Sequence, residues 1–266
     1  MQKLSRELLF AGWSALSTLP VIATAAGDAD LAKQLNNPVA SLISVPFQYN
    51  YDHSIGDYDG RRSTLNVQPV IPFSLSKDWN LISRTIVPLI SQHDVGQSGS
   101  SEHGVGDIVQ SIFLSPVEPG AGGTIWGVGP VFLLPTASRS ALGAKAWGAG
   151  PTAVALKQDG PWTYGLLANH IWGIGDKGRD VSSTFAQPFV NYTTASAWTT
   201  ALNTESTYDW KRGQWSVPVH LNLTKVMRIG DQPFSIGGGL RYWATSPEGG
   251  PSGLGFRLQF TLLFPK

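Results

Sequence analysis

The chain has 266 residues, no cysteine, 30 glycines, ten tryptophans, 14% charged residues and a formal net charge of +1. Without cysteine there is neither a disulfide framework nor a thiolate metal site. A near-neutral chain with no concentrated basic face gives no grounds for a nucleic-acid partner. The charge fraction lies well below the roughly 25% of soluble domains, as befits a chain that presents apolar side chains to something other than water.

Lys3 and Arg6 precede an apolar run from Leu8 to Ile22, which exits through Ala23-Thr24-Ala25-Ala26. Basic start, apolar middle and small-residue exit in that order predict a secretory leader over 1–25, cleaved after Ala25 or Ala26. Two basic residues and one acidic residue leave with it, so the mature chain is formally neutral. No later stretch reaches the ~18 consecutive apolar residues of a membrane-spanning helix. Residues 26–40 read as a periplasmic N-terminal segment, with a short helix over 28–37 ahead of Pro38.

From residue 41 to the end of the chain, helical periodicity gives way to twelve strand-like segments bounded by Gly, Pro, Asp or Ser. They span about 41–51, 63–73, 79–90, 105–115, 124–135, 146–156, 162–172, 181–193, 198–208, 214–226, 233–243 and 253–264. In the last, Leu254, Phe256, Leu258, Phe260, Leu262 and Phe264 share one face, and Gly255, Arg257, Gln259 and Thr261 the other. The tenth sets Trp215, Val217, Val219, Leu221 and Leu223 against Ser216, Pro218, His220, Asn222 and Thr224, the period-two pattern of a strand with two different surroundings. The third, sixth and eighth segments do not alternate cleanly.

The connections alternate in length as well. Long ones follow odd segments and mostly tight ones follow even segments, which is the plan of an up-and-down outer-membrane barrel with short periplasmic turns and longer outer loops. Tryptophan adds a third signal, because indole rings gather at the two membrane interfaces. Trp79, Trp126, Trp162 and Trp198 begin odd segments at the periplasmic rim, while Trp147, Trp172, Trp215 and Trp243 fall near the opposite rim, with Trp210 beside them. Prolines such as Pro69, Pro88, Pro130, Pro151 and Pro218 lie inside the segments, and their missing N–H groups predict bulges or locally open pairing.

Several stretches carry a family likeness: LNNPVASLISVPFQYNYD, LNVQPVIPFSLSKDWNLISRTIVPLI, WGVGPVFLLPTA, WGAGPTAVALKQDGPWTYG, LNTESTYDW and the closing TLLFPK. The chain resembles, over nearly its whole mature length, a family of bacterial outer-membrane proteins labelled as transporters of the meta-pathway of phenol degradation, some of which carry the hormone name neuromedin U. The resemblance implies an outer-membrane β-barrel with a channel role, and brings no binding residues with it. One departure from barrel practice is that Phe264 is followed by Pro265 and Lys266 instead of closing the chain.

If the apolar face meets lipid, the other face lines a lumen, and its few charges become candidates for a constriction: Arg84, Asp107, Glu205, His220, Arg241 and Arg257, with the amides Asn66, Gln68, Asn203 and Gln259. Folding the last hairpin about residue 249 would put Arg241 beside Arg257, an unfavourable pairing unless an anion or a carboxylate such as Glu205 intervenes. Two readings stay open: a charged ring that selects solutes, or an ion-pair network that only holds the wall together. The glycine-rich stretch 173–178 precedes a strand and not a helix, so its dinucleotide reading fails, and His93-Asp94 and Glu102-His103 lack metal-ligand spacing.

The sequence therefore predicts an all-β, antiparallel, twelve-stranded transmembrane barrel over 41–266 that passes small solutes, aromatic or acidic compounds among them, without a cofactor or metal. Its partners would be outer-membrane lipid, the barrel-assembly machinery and the solute. The alternatives are a barrel enzyme acting on lipid or ester, and a non-conducting structural barrel.

Overall fold

A computed structural model of the protein describes residues 20–178 and 180–265, with side chains from residue 27 onward. The basic start and most of the apolar run of the expected leader lie outside the described residues. A helix, α1 (Pro20–Leu35), runs across the expected cleavage point and includes most of the short helix predicted over 28–37.

Twelve strands follow: β1 (Ile43–Ile55), β2 (Gly60–Val67, resumed at Val70–Ser74), β3 (Trp79–His93), β4 (Ser101–Val105, resumed at Ile108–Pro116), β5 (Thr124–Leu134), β6 (Trp147–Asp159), β7 (Trp162–Ile174), β8 (Ser182–Thr193), β9 (Trp198–Thr204, resumed at Ser206–Asp209), β10 (Gln214–Ile229), β11 (Gln232–Thr245) and β12 (Gly253–Phe264). Each pairs antiparallel with its sequence neighbours, and β1 pairs with β12 from Ile43↔Phe264 to Tyr51↔Phe256, so the sheet closes on itself. The fold is an outer-membrane-type β-barrel. Closure is what a sheet in hydrocarbon requires, because an open edge would leave backbone polar groups without partners.

The two faces separate as the alternation predicted. On β12, Leu254, Phe256, Leu258 and Phe260 are exposed, whereas Arg257 and Thr261, of the opposite parity, are buried. On β10, Leu221 and Leu223 are exposed and His220 and Asn222 are buried. Outward aromatic rings pack across the seam that closes the barrel, Tyr51 stacking on Phe256 at 5.3 Å and Phe47 meeting Phe260 at 6.2 Å. At the short-turn rim Trp79 meets Trp126 edge-on at 6.0 Å and Trp162 meets Tyr192 at 4.9 Å, as interface aromatics do.

The proline bulges are present. The ladder breaks between the two parts of β2 at Pro69, and between the two parts of β4 opposite Pro88, whose carbonyl accepts from the N–H of Gly106. It breaks again in β9 at Glu205, whose N–H donates to the carbonyl of Pro218, and the β10–β11 register shifts between Val217 and Pro218. Glycines let neighbouring strands close up beside such irregularities. A Cβ at Gly150 would collide with the carbonyl oxygen of His170, and the flanking positions on either side of that contact, Ala149↔Trp172 and Thr152↔Asn169, are paired. We expect Gly150→Val to lower the yield of folded barrel sharply, read as loss of the compact, heat-modifiable band on unboiled SDS gels; a wild-type yield would show that β6 and β7 tolerate separation there.

Candidate functional site

The interior is built in three layers, set by which residues of each strand point inward. The outer and middle layers hold the charges. Arg257 on β12 is almost wholly enclosed, at 1% exposure. Its guanidinium donates Nη1 and Nη2 to the two carboxylate oxygens of Glu205, both at 2.8 Å, and Nε to Oδ1 of Asn50 on β1 at 2.7 Å. This fork geometry matches the planar donors of arginine to a carboxylate. Glu205 stands at the bulge in β9, three strands around the ring from β12, so the pair bridges a quarter of the barrel interior. His220, fully buried on β10, places Nε2 3.6 Å from the same carboxylate.

One step toward the outer mouth, Arg241 on β11 lies 3.2 Å from Asp52 on β1 and covers the ring of Trp243 at 4.6 Å. Trp243 in turn donates Nε1 to Asp52 at 2.8 Å. Arg62 on β2 donates to Gln92 on β3 at 2.9 Å. Arg84 rises from β3, six strands away from Glu205 and therefore on the opposite wall. It donates to Oε1 of Gln68 at 3.1 Å, and Gln68 donates to Gln48 at 3.2 Å.

The sequence-predicted residues thus divide. Arg84, Glu205, His220, Arg241 and Arg257 share the interior; Glu205 pairs with Arg257, whereas Arg241 pairs with Asp52. Asp107 does not join them. Its carboxylate accepts from the backbone N–H groups of Ala137 and Lys145, both at 2.9 Å, and so ties down the outer loop 135–146, which also accepts from inward-facing Gln92 through the carbonyl of Ala141. Arg241 and Arg257 are not opposite one another. The last hairpin folds about residue 248, pairing Arg241 with Gly255 and Gly239 with Arg257. Among the tryptophans, Trp79, Trp147, Trp162, Trp172, Trp198, Trp210 and Trp215 are exposed on the outside. Trp243 points inward to Asp52 and is not part of the girdle.

The third layer fills the short-turn end, where residues of the 26–40 segment pack inside the barrel wall. Asp28 holds Arg228 of β10 at 2.7 Å, the carbonyl of Lys33 accepts from Gln158 of β6, and Asn36 donates to Thr193 of β8. Leu31, Ala32, Ala40 and Leu42 pack against Ala197, Val226 and Leu263 on one side. Val39 packs into Ile82, Phe113, Val154, Leu156 and Leu167 on the other. Residues 28–42 therefore lie across the barrel interior at its short-turn end as a plug-like segment. Each fully buried Leu or Val among these contributes about 1.5–3 kcal/mol. The signal available in the sequence was the imperfect alternation of the third, sixth and eighth segments: Ile82, Val154 and Leu156 are apolar on the inward face where they cluster with Val39, and Phe185 and Phe189 pack against that cluster.

No protein-family model matches the chain, and no curated protein matches it. Among solved structures, the COG4313 outer membrane channel from Pseudomonas putida F1 superposes with a TM-score of 0.64 at 16% identity, covering 84% of this chain and 94% of that one. The outer membrane phospholipase A from Escherichia coli superposes at 0.48 with 10% identity, over 84% of this chain and 96% of that one. A KdgM porin in complex with oligogalacturonate gives 0.47 with 9% identity, over 84% and 99%. The first of these likenesses establishes the barrel fold; the other two are too loose to bear on function.

The Arg257–Glu205 bridge is buried and hydrogen-bonded, so removing one partner strands the other. We expect Arg257→Met and Glu205→Gln each to cost about 3–5 kcal/mol, and the double variant to cost much less than their sum. Urea unfolding of the barrel in phospholipid vesicles reads this cycle; additive effects would mean the pair is energetically inert.

Proposed function

We propose that the protein is a passive outer-membrane channel for small solutes with a preference for anions, normally obstructed at its periplasmic end by residues 28–42. The observation that carries this reading is the charge of the interior. Four guanidinium groups, Arg62, Arg84, Arg241 and Arg257, face two carboxylates, Asp52 and Glu205, within one enclosed wall. Rings of basic side chains in a pore favour anions, and a low-dielectric wall strengthens that preference. The bidentate bridge and the Asp52 cluster hold the wall in register at the same time, so the two readings left open by the sequence are joined here: the ion pairs are structural, and the arginines left over set selectivity.

The plug bears on how solute passes. Among the described residues it is tied to the wall by one ion pair, three hydrogen bonds and apolar packing, and its C-terminal end runs directly into β1. Passage requires it to shift. The shared wording with transporters of phenol degradation supports acidic, aromatic breakdown products as cargo, and an arginine-lined interior suits their carboxylates. Cleavage of 1–25 during export, and insertion by the barrel-assembly machinery, complete the proposal.

In planar bilayers we expect chloride to be preferred over potassium in the reversal potential, and the double variant Arg62→Gln, Arg84→Gln to move that potential toward cation preference. Cation preference in the wild type, or no shift in the variant, would overturn the anion assignment. Removing residues 28–40 from the mature chain should raise the single-channel conductance several-fold; an unchanged conductance would show that the segment does not obstruct the path.

A further inference from the structure

Above the plug and directly beneath the Arg257–Glu205 bridge lies an interior chamber of about 230 Å³. Its floor is formed by residues 34–38, 40 and 42, and its walls by inward side chains of β1, β2, β3, β7, β8, β9, β10, β11 and β12. These walls are dominated by amides and hydroxyls, and Arg84 is the one charged group among the lining residues; no carboxylate lines the chamber.

Arg84 is incompletely satisfied. Of its five N–H donors, one reaches Gln68 at 3.1 Å, and among the described residues no carboxylate lies within ion-pair distance of it. The carboxylate of Glu205 acts on it across the lumen but lies beyond ion-pair distance, so a bound anion would pair it directly. On the facing wall, Asn203 and Asn222 line the same chamber, and their side-chain carbonyl oxygens are buried without a hydrogen-bond partner. Asn222 is only 3% exposed. Both oxygens are closed off from the open space as the side chains stand, so a donor in the chamber meets them once the amides turn toward it.

We propose that this chamber is a solute-binding site for a short monocarboxylate bearing several hydroxyl groups, its carboxylate on Arg84 and its hydroxyls on Asn203, Asn222 and the neighbouring amides Gln48 and Gln259. One positive charge matches one carboxylate. The two orphan acceptors on the opposite wall match hydroxyl donors, which a plain fatty acid lacks. The modest volume restricts the ligand to a small molecule, below the ~300–1,000 Å³ of drug-sized pockets. The inference adds a non-aromatic class of acidic solute to the aromatic acids proposed above, and rests on that channel reading for its role in transport, though not for binding itself.

The test uses the full mature protein purified in detergent, titrated calorimetrically with D-gluconate, with D-glucose and with hexanoate. Gluconate should bind saturably, at least tenfold more tightly than either glucose, which lacks the charge, or hexanoate, which lacks the hydroxyls. Arg84→Gln should weaken gluconate at least tenfold and leave the weak glucose binding unchanged. Equal affinities for the three ligands, no saturable gluconate binding, or full affinity in Arg84→Gln would overturn the proposal. The wild-type comparison decides even if that variant does not fold. The same preparation in planar bilayers separates the two claims: chloride currents without gluconate binding overturn the site alone, while gluconate binding in a barrel that never conducts overturns the channel reading and leaves the site standing.

Discussion

Hydrocarbon offers no hydrogen bonds, so every backbone N–H and C=O of a spanning sheet must find a partner within the protein. That constraint closes β1 on β12 and makes each strand two-faced. It also decides what happens at the prolines, which cannot donate to the ladder. The carbonyls of Pro46, Pro88 and Pro218 are taken up by N–H groups at the neighbouring breaks, those of Gln68, Gly106 and Glu205. A bulge re-aims the side chains at the break, and a polar residue stands at each one. Gln68 braces Arg84, Asp107 ties the outer loop, and Glu205 meets Arg257. The irregularities of the wall are where its working side chains are placed.

The interior inherits an asymmetry from the same source. Where Arg257, Glu205, His220 and Arg241 lie, the lumen is charged and tightly paired. Toward the periplasmic end on the opposite side it is dry, because Val39 sits among Ile82, Phe113, Val154, Leu156 and Leu167. The barrel is therefore neither a uniformly wet pore nor a solid core. It holds a polar layer, an amide-lined chamber and an apolar stopper in succession, and the stopper belongs to the chain's own N-terminal segment.

The architecture was legible because lipid imposes a period of two and the turns impose a length pattern; the twelve strand positions follow from those two signals. Of the interior, the alternation of β10 and β12 placed His220 and Arg257 inside, and Glu205 was legible as a carboxylate that could meet the arginines, whereas Asp52, the partner of Arg241, was not. What was not legible depended on offsets and on non-local packing. The pivot of the last hairpin differs by one residue, which moves Arg241 from opposite Arg257 to opposite Gly255. Trp243 carries the residue type of a girdle but the parity of the lumen, and parity decides. Asp107 stands in a break, where parity no longer tells inward from outward. The plug was hidden because its counterpart is scattered over β3, β4, β6 and β7, and the mixed faces of β3, β6 and β8 appeared only as imperfect strands.

The most direct test of the whole account uses the absence of native cysteine: single cysteines placed in turn at 254 through 262, labelled with an environment-sensitive fluorophore, and exposed to nitroxide-bearing lipid in vesicles. The account predicts strong quenching at the even positions and little at the odd ones, following the outward Leu254, Phe256, Leu258 and Phe260 and the inward Arg257 and Thr261. Quenching at the odd positions, or none that alternates, would contradict a barrel that turns its apolar face to hydrocarbon around a polar interior.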